Sequence, residues 1–392
     1  MATKSSSPNK LTTSLYFLAF IGLGAFTSIL GPSLPSLAAH TQTNLAEIGF
    51  LFMARSLGYM IGSLRGGHAF DKLPGHNLLA GLLLLISASL ALAPVISQLW
   101  VLTLVLLFLG IGEGALDMGT NLLLSWVHRE NATPFLNALH FFFGAGSFLG
   151  PIIVAQALRL EGDIQWAYWI LAIYPLFLLI GMLRQPSPAS PQTILQKING
   201  QVPAFQTFLI VAFFALYVGT EAGYGGWIYS YALVMNLDTE TSAAFLTSIF
   251  WGSITIGRLV SIPLSARLSP QNVLSVDLMG SLVAVILLYT FPQSRLVLWL
   301  GTVVLGLSLA SIFPTMLAFS GKQMPLTGKV TRWFFVGASI GGMSLPWLIG
   351  VLFEAISPRI MLLALIIDLM LAIMVYIWII TNWRRSHKLE DS

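Results

Sequence analysis

An all-α membrane protein of twelve transmembrane helices, arranged as two pseudo-symmetric six-helix bundles, is the fold class this sequence predicts. Three observations predict it. Of 392 residues, 56% are hydrophobic and 9% charged, against about 25% charged in soluble domains. Apolar runs of roughly 20 residues, long enough to cross a bilayer, recur along the whole length. One long polar stretch inside the chain, "RQPSPASPQTILQKINGQVP", divides it nearly in half. The net charge of +4 is small and spread over short loops, which argues against a nucleic-acid partner. The chain has no cysteine, so disulfide frameworks and thiolate metal sites are excluded.

The N-terminus is short and polar, with Lys4 and Lys10. The apolar stretch that follows, at 13–38, exceeds the core of about 7–15 residues in a cleaved signal peptide and is read as a retained first span. Five more spans fall at about 45–70, 76–96, 98–127, 133–158 and 164–184. The second set falls at about 203–234, 240–266, 271–291, 295–320, 327–354 and 358–382. The expected organisation is a first bundle over 1–184, a cytoplasmic linker over 185–202 and a second bundle over 203–392. Cytoplasmic loops carry excess Lys and Arg. With the N-terminus inside, inner ends collect Lys4, Lys10, Arg65, Lys72, Arg129, Arg184, Lys197, Arg267, Lys322, Lys329, Arg332, Arg384, Arg385 and Lys388, and outer ends only Arg159, Arg295 and Arg359. Both termini are therefore expected in the cytoplasm, in a bacterial-type plasma membrane, with the lipid bilayer around a monomer.

An internal repeat supports the two halves. "LFMARSLGYMIGSL" in the second span and "FWGSITIGRLVSI" in the eighth align with Gly58 on Gly257, and "FLGPII" around Pro151 matches "MSLPWLIG" around Pro346. Paired six-helix halves are the build of many secondary transporters.

The fourth span holds "FLGIGEGALDMGTNLLLSW", with Glu113, Asp117 and Asn121 each four residues after the last, hence on one helix face. A charge at the bilayer centre costs at least about 2.5–3.5 kcal/mol on insertion scales, so the row needs a reason. Placing Gly110 on Gly306 sets Leu309, Phe313 and Leu317 at the matching positions of the tenth span. The fold is built once without these acids, and the row is expected to face a watery central site. A carboxyl there can take up and release a coupling ion, H+ or Na+; Asp117, Glu113 and Glu221 are the candidates. In the fifth span, Asn137 and His140 stand one turn apart. His140 suits a proton relay or a contact to substrate hydroxyls as well as simple packing. Gly146-x-x-x-Gly150-Pro151 reads as close helix packing through small residues. In the seventh span, Glu221, Tyr224 and Trp227 are spaced by three, with Tyr231 beyond. Carboxylates and amides hold sugar hydroxyls, while flat aromatic faces cover C–H surfaces, so these residues and Trp347 are candidate substrate contacts. The glycines Gly219, Gly223, Gly225 and Gly226 are expected to break this helix. Arg55 is a candidate partner for an acid, Arg258 is expected to snorkel inward, Asp277 to be solvated, and Asp368 has no account from sequence.

Loop residues "GGHAFDKLPGHNLL" resemble the signature of the major facilitator superfamily through Gly67, Asp71, Lys72 and Gly75, although His76 and Asn77 replace basic residues. The matching loop of the second half keeps Arg267. The resemblance implies that Gly67, Asp71, Lys72 and Arg267 gate the cytoplasmic face. "GEGALDMGTN", "NALHFFFGAGSFLGP", "GTEAGYGGWIYSYAL" and "FWGSITIGR" are similar to the fucose-permease branch, which includes sodium-dependent glucose transporter-like proteins. The likeness implies that Asp117 is a coupling acid and Asn121 a substrate-binding residue. The first span departs from that branch in having no acid, so proton and sodium both stay open. The expected function is cation-coupled symport of a sugar or similar polyhydroxylated small molecule, with no cofactor; the alternative is an efflux antiporter for amphipathic drugs or lipids. An enzyme is not expected, since there is no His-Glu-x-x-His motif and no evident nucleophile–base pair.

Overall fold

The computed structural model describes residues 10–70, 72–188, 204–265, 267–324 and 328–390. The first half contains α1 (Lys10–Ser28), α2 (Leu30–Thr41), α3 (Leu45–Ile48), α4 (Phe50–Phe70), α5 (Gly75–Leu92), α6 (Leu99–His128), α7 (Ala132–Glu161) and α8 (Gln165–Leu183). The second contains α9 (Ala204–Val234), α10 (Glu240–Ser265), α11 (Pro270–Thr290), α12 (Arg295–Leu309), α13 (Ile312–Gln323), α14 (Gly328–Ala355) and α15 (Ile360–Glu390). Among the described residues, eleven apolar segments are long enough to cross a membrane. The longest, Leu99–Glu161, has 63 residues. At 1.5 Å per residue it would measure about 95 Å, some three times the hydrocarbon thickness, and it folds back on itself. The turn falls at Arg129, whose φ of 50° lies in the left-handed region, and twelve crossings result.

The repeat is visible in the packing. A Cβ at Gly146 of α7 would strike the carbonyl of Ile21 on α1, and one at Gly341 of α14 would strike the carbonyl of Ala215 on α9. Gly58 of α4 is set against the backbone of Leu107 and Ile111 on α6; Gly257 of α10 is set against Leu307 and Ala310. Backbones approach closely at these glycines because, in lipid, dispersion and close fit drive helix association. Gly150 likewise sits on Ala25 of α1, as the close-packing reading of its motif requires.

Breaks fall elsewhere than expected. The glycine-rich seventh span is one continuous helix, α9, of 31 residues. Its glycines admit neighbours instead: Leu345 beside Gly219, Ile349 beside Gly223, Phe52 beside Gly226. The first and tenth spans are divided instead, between α1 and α2 and between α12 and α13, and the second is interrupted near its start between α3 and α4. Proline is tolerated in the first turn of a helix but cannot bond the carbonyl four residues earlier. Both second pieces carry one in that turn, Pro32 in α2 and Pro314 in α13. Asp277 is not a solvated end residue: at the second break, the Ser311 hydroxyl donates to its carboxylate.

The bundles meet from mid-membrane to the end where α2 finishes and α4 begins. Gly31 of α2 lies on the carbonyls of Gly225 and Gly226. Phe52 packs against Trp227 with ring centroids 6.1 Å apart and the planes tilted, and Ser56 donates to the Gly342 carbonyl at 3.2 Å. Gly144 of α7 abuts Thr255 of α10.

Candidate functional site

Helix α6 carries two carboxylates one turn apart, and their partners differ sharply. Glu113 is fully buried, and Arg55 of α4 is 7% exposed. The guanidinium donates to both carboxylate oxygens, Nε at 2.9 Å and a terminal nitrogen at 2.6 Å. It also donates to the carbonyls of Phe26 at 2.7 Å and Thr27 at 3.1 Å. Those carbonyls belong to the end of α1, where the break leaves backbone acceptors without intrahelical partners. Arg55 therefore caps a broken helix, and Glu113 neutralises it. Such bidentate pairs are geometrically demanding, which suits a fixed joint among α1, α4 and α6. The aligned positions in the second half are Ile254 and Leu309, both buried and apolar; α9, the counterpart of α1, needs no such cap because it is unbroken.

Among the described residues, Asp117 is hydrogen-bonded only to neutral donors. The Tyr59 hydroxyl donates to one carboxylate oxygen, and Asn121 Nδ2 donates to the other at 2.8 Å. The pairing of Asp117 with Asn121 follows from the four-residue spacing read in the sequence. Tyr59 comes from α4, one turn after Arg55, and its role has no local signal in the sequence. His140 of α7 lies within electrostatic reach of Asp117 on one side and of Arg258 on the other. Arg258 and Glu221 flank the buried Tyr217 hydroxyl. A polar chain thus runs from Asp117 through His140 and Arg258 to Glu221, crossing from one bundle to the other. His140 is exposed although charged groups from α6 and α10 lie beside it, so the space between the bundles here is open rather than packed. Arg258 does not snorkel away; it aligns with Tyr59 in the repeat and points into the same region.

Other candidate residues lie apart from this chain. Asn137 is exposed, one turn from His140. Tyr224 is fully buried inside the second bundle, sharing a 2.6 Å hydrogen bond with Thr302. Trp227 is fully buried too, donating to the Pro346 carbonyl at 2.8 Å, with Trp347 next along α14 and half-buried. Tyr231 is buried near the far end of α9 and borders a small cleft with Leu237, Leu288 and Phe291. These aromatics form the closed contact between bundles or the interior of one of them. Of the residues expected to gate, Lys72 and Arg267 are exposed. Gly67 leaves room for Met118, whose Cε would stand 2.7 Å from an added Cβ. Asp71 lies outside the described residues. Asp368, unexplained by sequence, accepts a 2.7 Å hydrogen bond from Thr220, on the residue next to Glu221.

Similarity to known proteins agrees with this architecture. Sodium-dependent glucose transporter 1 of Homo sapiens is 29% identical over 375 residues, covering 85% of this chain and 72% of that protein. The protein of the same name from Danio rerio is 31% identical over 392 residues, covering 88% of this chain and 65% of its own length. The crystal structure of the nucleoside transporter NupG superposes with a TM-score of 0.74 at 16% identity, covering 95% of this chain and 98% of that one. That likeness shows the fold. The family description Major Facilitator Superfamily matches residues 16–346. Twelve crossings in two repeated halves, glycine-packed helix pairs at matching positions and a match across most of the length place this multi-pass membrane chain in the Major Facilitator Superfamily.

Proposed function

We propose that the protein is a cation-coupled symporter that moves a sugar or similar polyhydroxylated solute by alternating access. The observation that carries this reading is the polar chain Asp117–His140–Arg258–Glu221 between two apolar bundles. Its carboxylates and imidazole can accept or donate to several hydroxyls at once, and Asn121 and Asn137 add amides. The relatives' names, which state sodium dependence and glucose, support the same substrate class and favour Na+ over H+ as the coupling ion.

Asp117 is the coupling acid in this proposal. Among the described residues its hydrogen bonds come from the neutral Tyr59 and Asn121, so its charge has no fixed cationic partner like that of Glu113 and is available to an ion from solution. Binding of the cation and the solute together neutralises the site. Closure then becomes favourable, because a ligand shifts a conformational equilibrium by its differential affinity for the two states. Glu221 contributes from the second bundle, and Glu113 belongs to the joint with Arg55. The 14-to-3 excess of basic residues orients both termini and the linker over 185–202 to the cytoplasm, joining bundles 1–184 and 203–392. The closed contacts at Gly31, Phe52 and Trp227 then lie on the outer side, and the structure faces inward.

Purified protein in liposomes should accumulate D-glucose when an inward sodium gradient is imposed, and less so with a proton gradient alone. Accumulation under neither gradient would overturn coupling. The orientation is checked separately. The chain has no cysteine, so a single cysteine placed at position 386 should resist an impermeant thiol reagent in intact cells and react after permeabilisation. Labelling from outside would reverse the topology.

A further inference from the structure

We infer that Trp251 of α10 is a specificity-determining residue of the transport site, donating its indole N–H to one hydroxyl of the solute. The inference rests on the sugar-transport reading and adds to it a residue that neither the acid row nor the aromatic motif of the seventh span picks out.

Buried indole N–H groups normally find an acceptor, and in this chain others do. Trp227 donates to the Pro346 carbonyl at 2.8 Å, Trp169 to the Ala91 carbonyl at 3.3 Å and Trp299 to Asp238 at 2.8 Å. The Trp251 nitrogen is buried and has no acceptor among the described residues.

Its position gives the reason. Trp251 and Arg258 are seven residues apart, two turns of α10, so they share a face. Between them Thr255 donates to the Trp251 carbonyl at 2.8 Å and abuts Gly144, one turn beyond His140 on α7. The ring itself lies on Gly225 of α9: an added Cβ there would meet Cζ2 at 2.9 Å and Cε2 at 3.3 Å. Cε2 carries the nitrogen, so the donor edge faces α9 one turn from Glu221. Trp251 thus lies two turns of α10 beyond Arg258, toward the side where the bundles are closed, with its donor edge near α9. Its plane can cover the C–H surface of a sugar ring while its N–H meets a hydroxyl that Glu221 and Arg258 do not take. Phe250, its neighbour at 5.2 Å, points into the second bundle against Tyr224 and supplies packing only.

The test is a deoxy scan. Binding of D-glucose and its monodeoxy analogues is measured by thermal shift and titration for the natural protein and for Trp251→Phe, which keeps the aromatic plane and removes the donor. Trp251→Phe should weaken D-glucose binding roughly tenfold, the scale of one hydrogen bond. One deoxy analogue, and not the others, should bind both proteins equally, because its missing hydroxyl is the acceptor. A merely structural tryptophan would weaken all analogues alike, and that pattern overturns the inference, as does unchanged affinity. If the natural protein binds none of these sugars, the substrate reading and this inference fall together. If Trp251→Phe does not fold, Gly225→Ala moves the same ring edge and should produce the same selective loss; equal affinity for every analogue in that variant overturns the inference.

Discussion

Asp117→Asn should abolish gradient-driven accumulation of solute while sparing binding. The asparagine is nearly isosteric, and its side-chain oxygen can still accept from Tyr59, as Asp117 does now. What it removes is the charge. A neutral amide takes up no proton and holds Na+ far less tightly than a carboxylate, so the energy of the ion gradient loses its route into the conformational cycle. Accumulation in liposomes should fall at least about a hundredfold, to equilibrium with the outside concentration. Binding of D-glucose by thermal shift should stay within a few-fold, because a ligand that binds the folded state still stabilises it. Exchange of labelled for unlabelled sugar should persist. Normal accumulation by Asp117→Asn under the same gradient would transfer the coupling role to Glu221, the carboxylate at the far end of the polar chain.

The helical architecture was legible because lipid imposes it: backbone groups out of water must be satisfied internally, so each apolar run of sufficient length becomes a helix. The repeat registers at Gly58 and at Pro151 were legible for a related reason, since small residues mark close backbone approach. The Asp117–Asn121 pair could be read because its geometry is local to one helix. Tyr59 and Arg258 could not be assigned the same way. They act across 58 residues or across the bundle interface, and one sequence carries no signal for such distances. The seventh span shows where local propensity misleads. Glycine weakens an isolated helix by roughly 1 kcal/mol relative to alanine, yet α9 is continuous, because packing of Leu345, Ile349 and Phe52 against its glycines outweighs propensity. The breaks do coincide with prolines 32 and 314 in the first turn of each second piece, but Pro151 and Pro346 stand inside continuous helices, so proline alone does not mark a break in sequence.

Replacing Arg55 and Glu113 together should be far less harmful than replacing either one. Glu113→Leu alone leaves a buried guanidinium without its countercharge, and loss of one partner from a buried ion pair costs about 3–5 kcal/mol. Arg55→Ile alone strands the carboxylate with a similar penalty. The double variant Arg55→Ile/Glu113→Leu installs the pair that the second half already uses at Ile254 and Leu309, both buried. It should recover most of the lost stability in a thermal unfolding series. It should not recover all of it, because the Phe26 and Thr27 carbonyls that Arg55 now caps are left unmet. Each buried polar group without a partner costs about 1–3 kcal/mol, and the unbroken α9 has no equivalent deficit. Transport separates structure from coupling. If Glu113 serves only the joint, the refolded double variant should accumulate sugar at a rate within a few-fold of the natural protein. A double variant that is stable and binds sugar but fails to concentrate it would make Glu113 a second coupling acid beside Asp117.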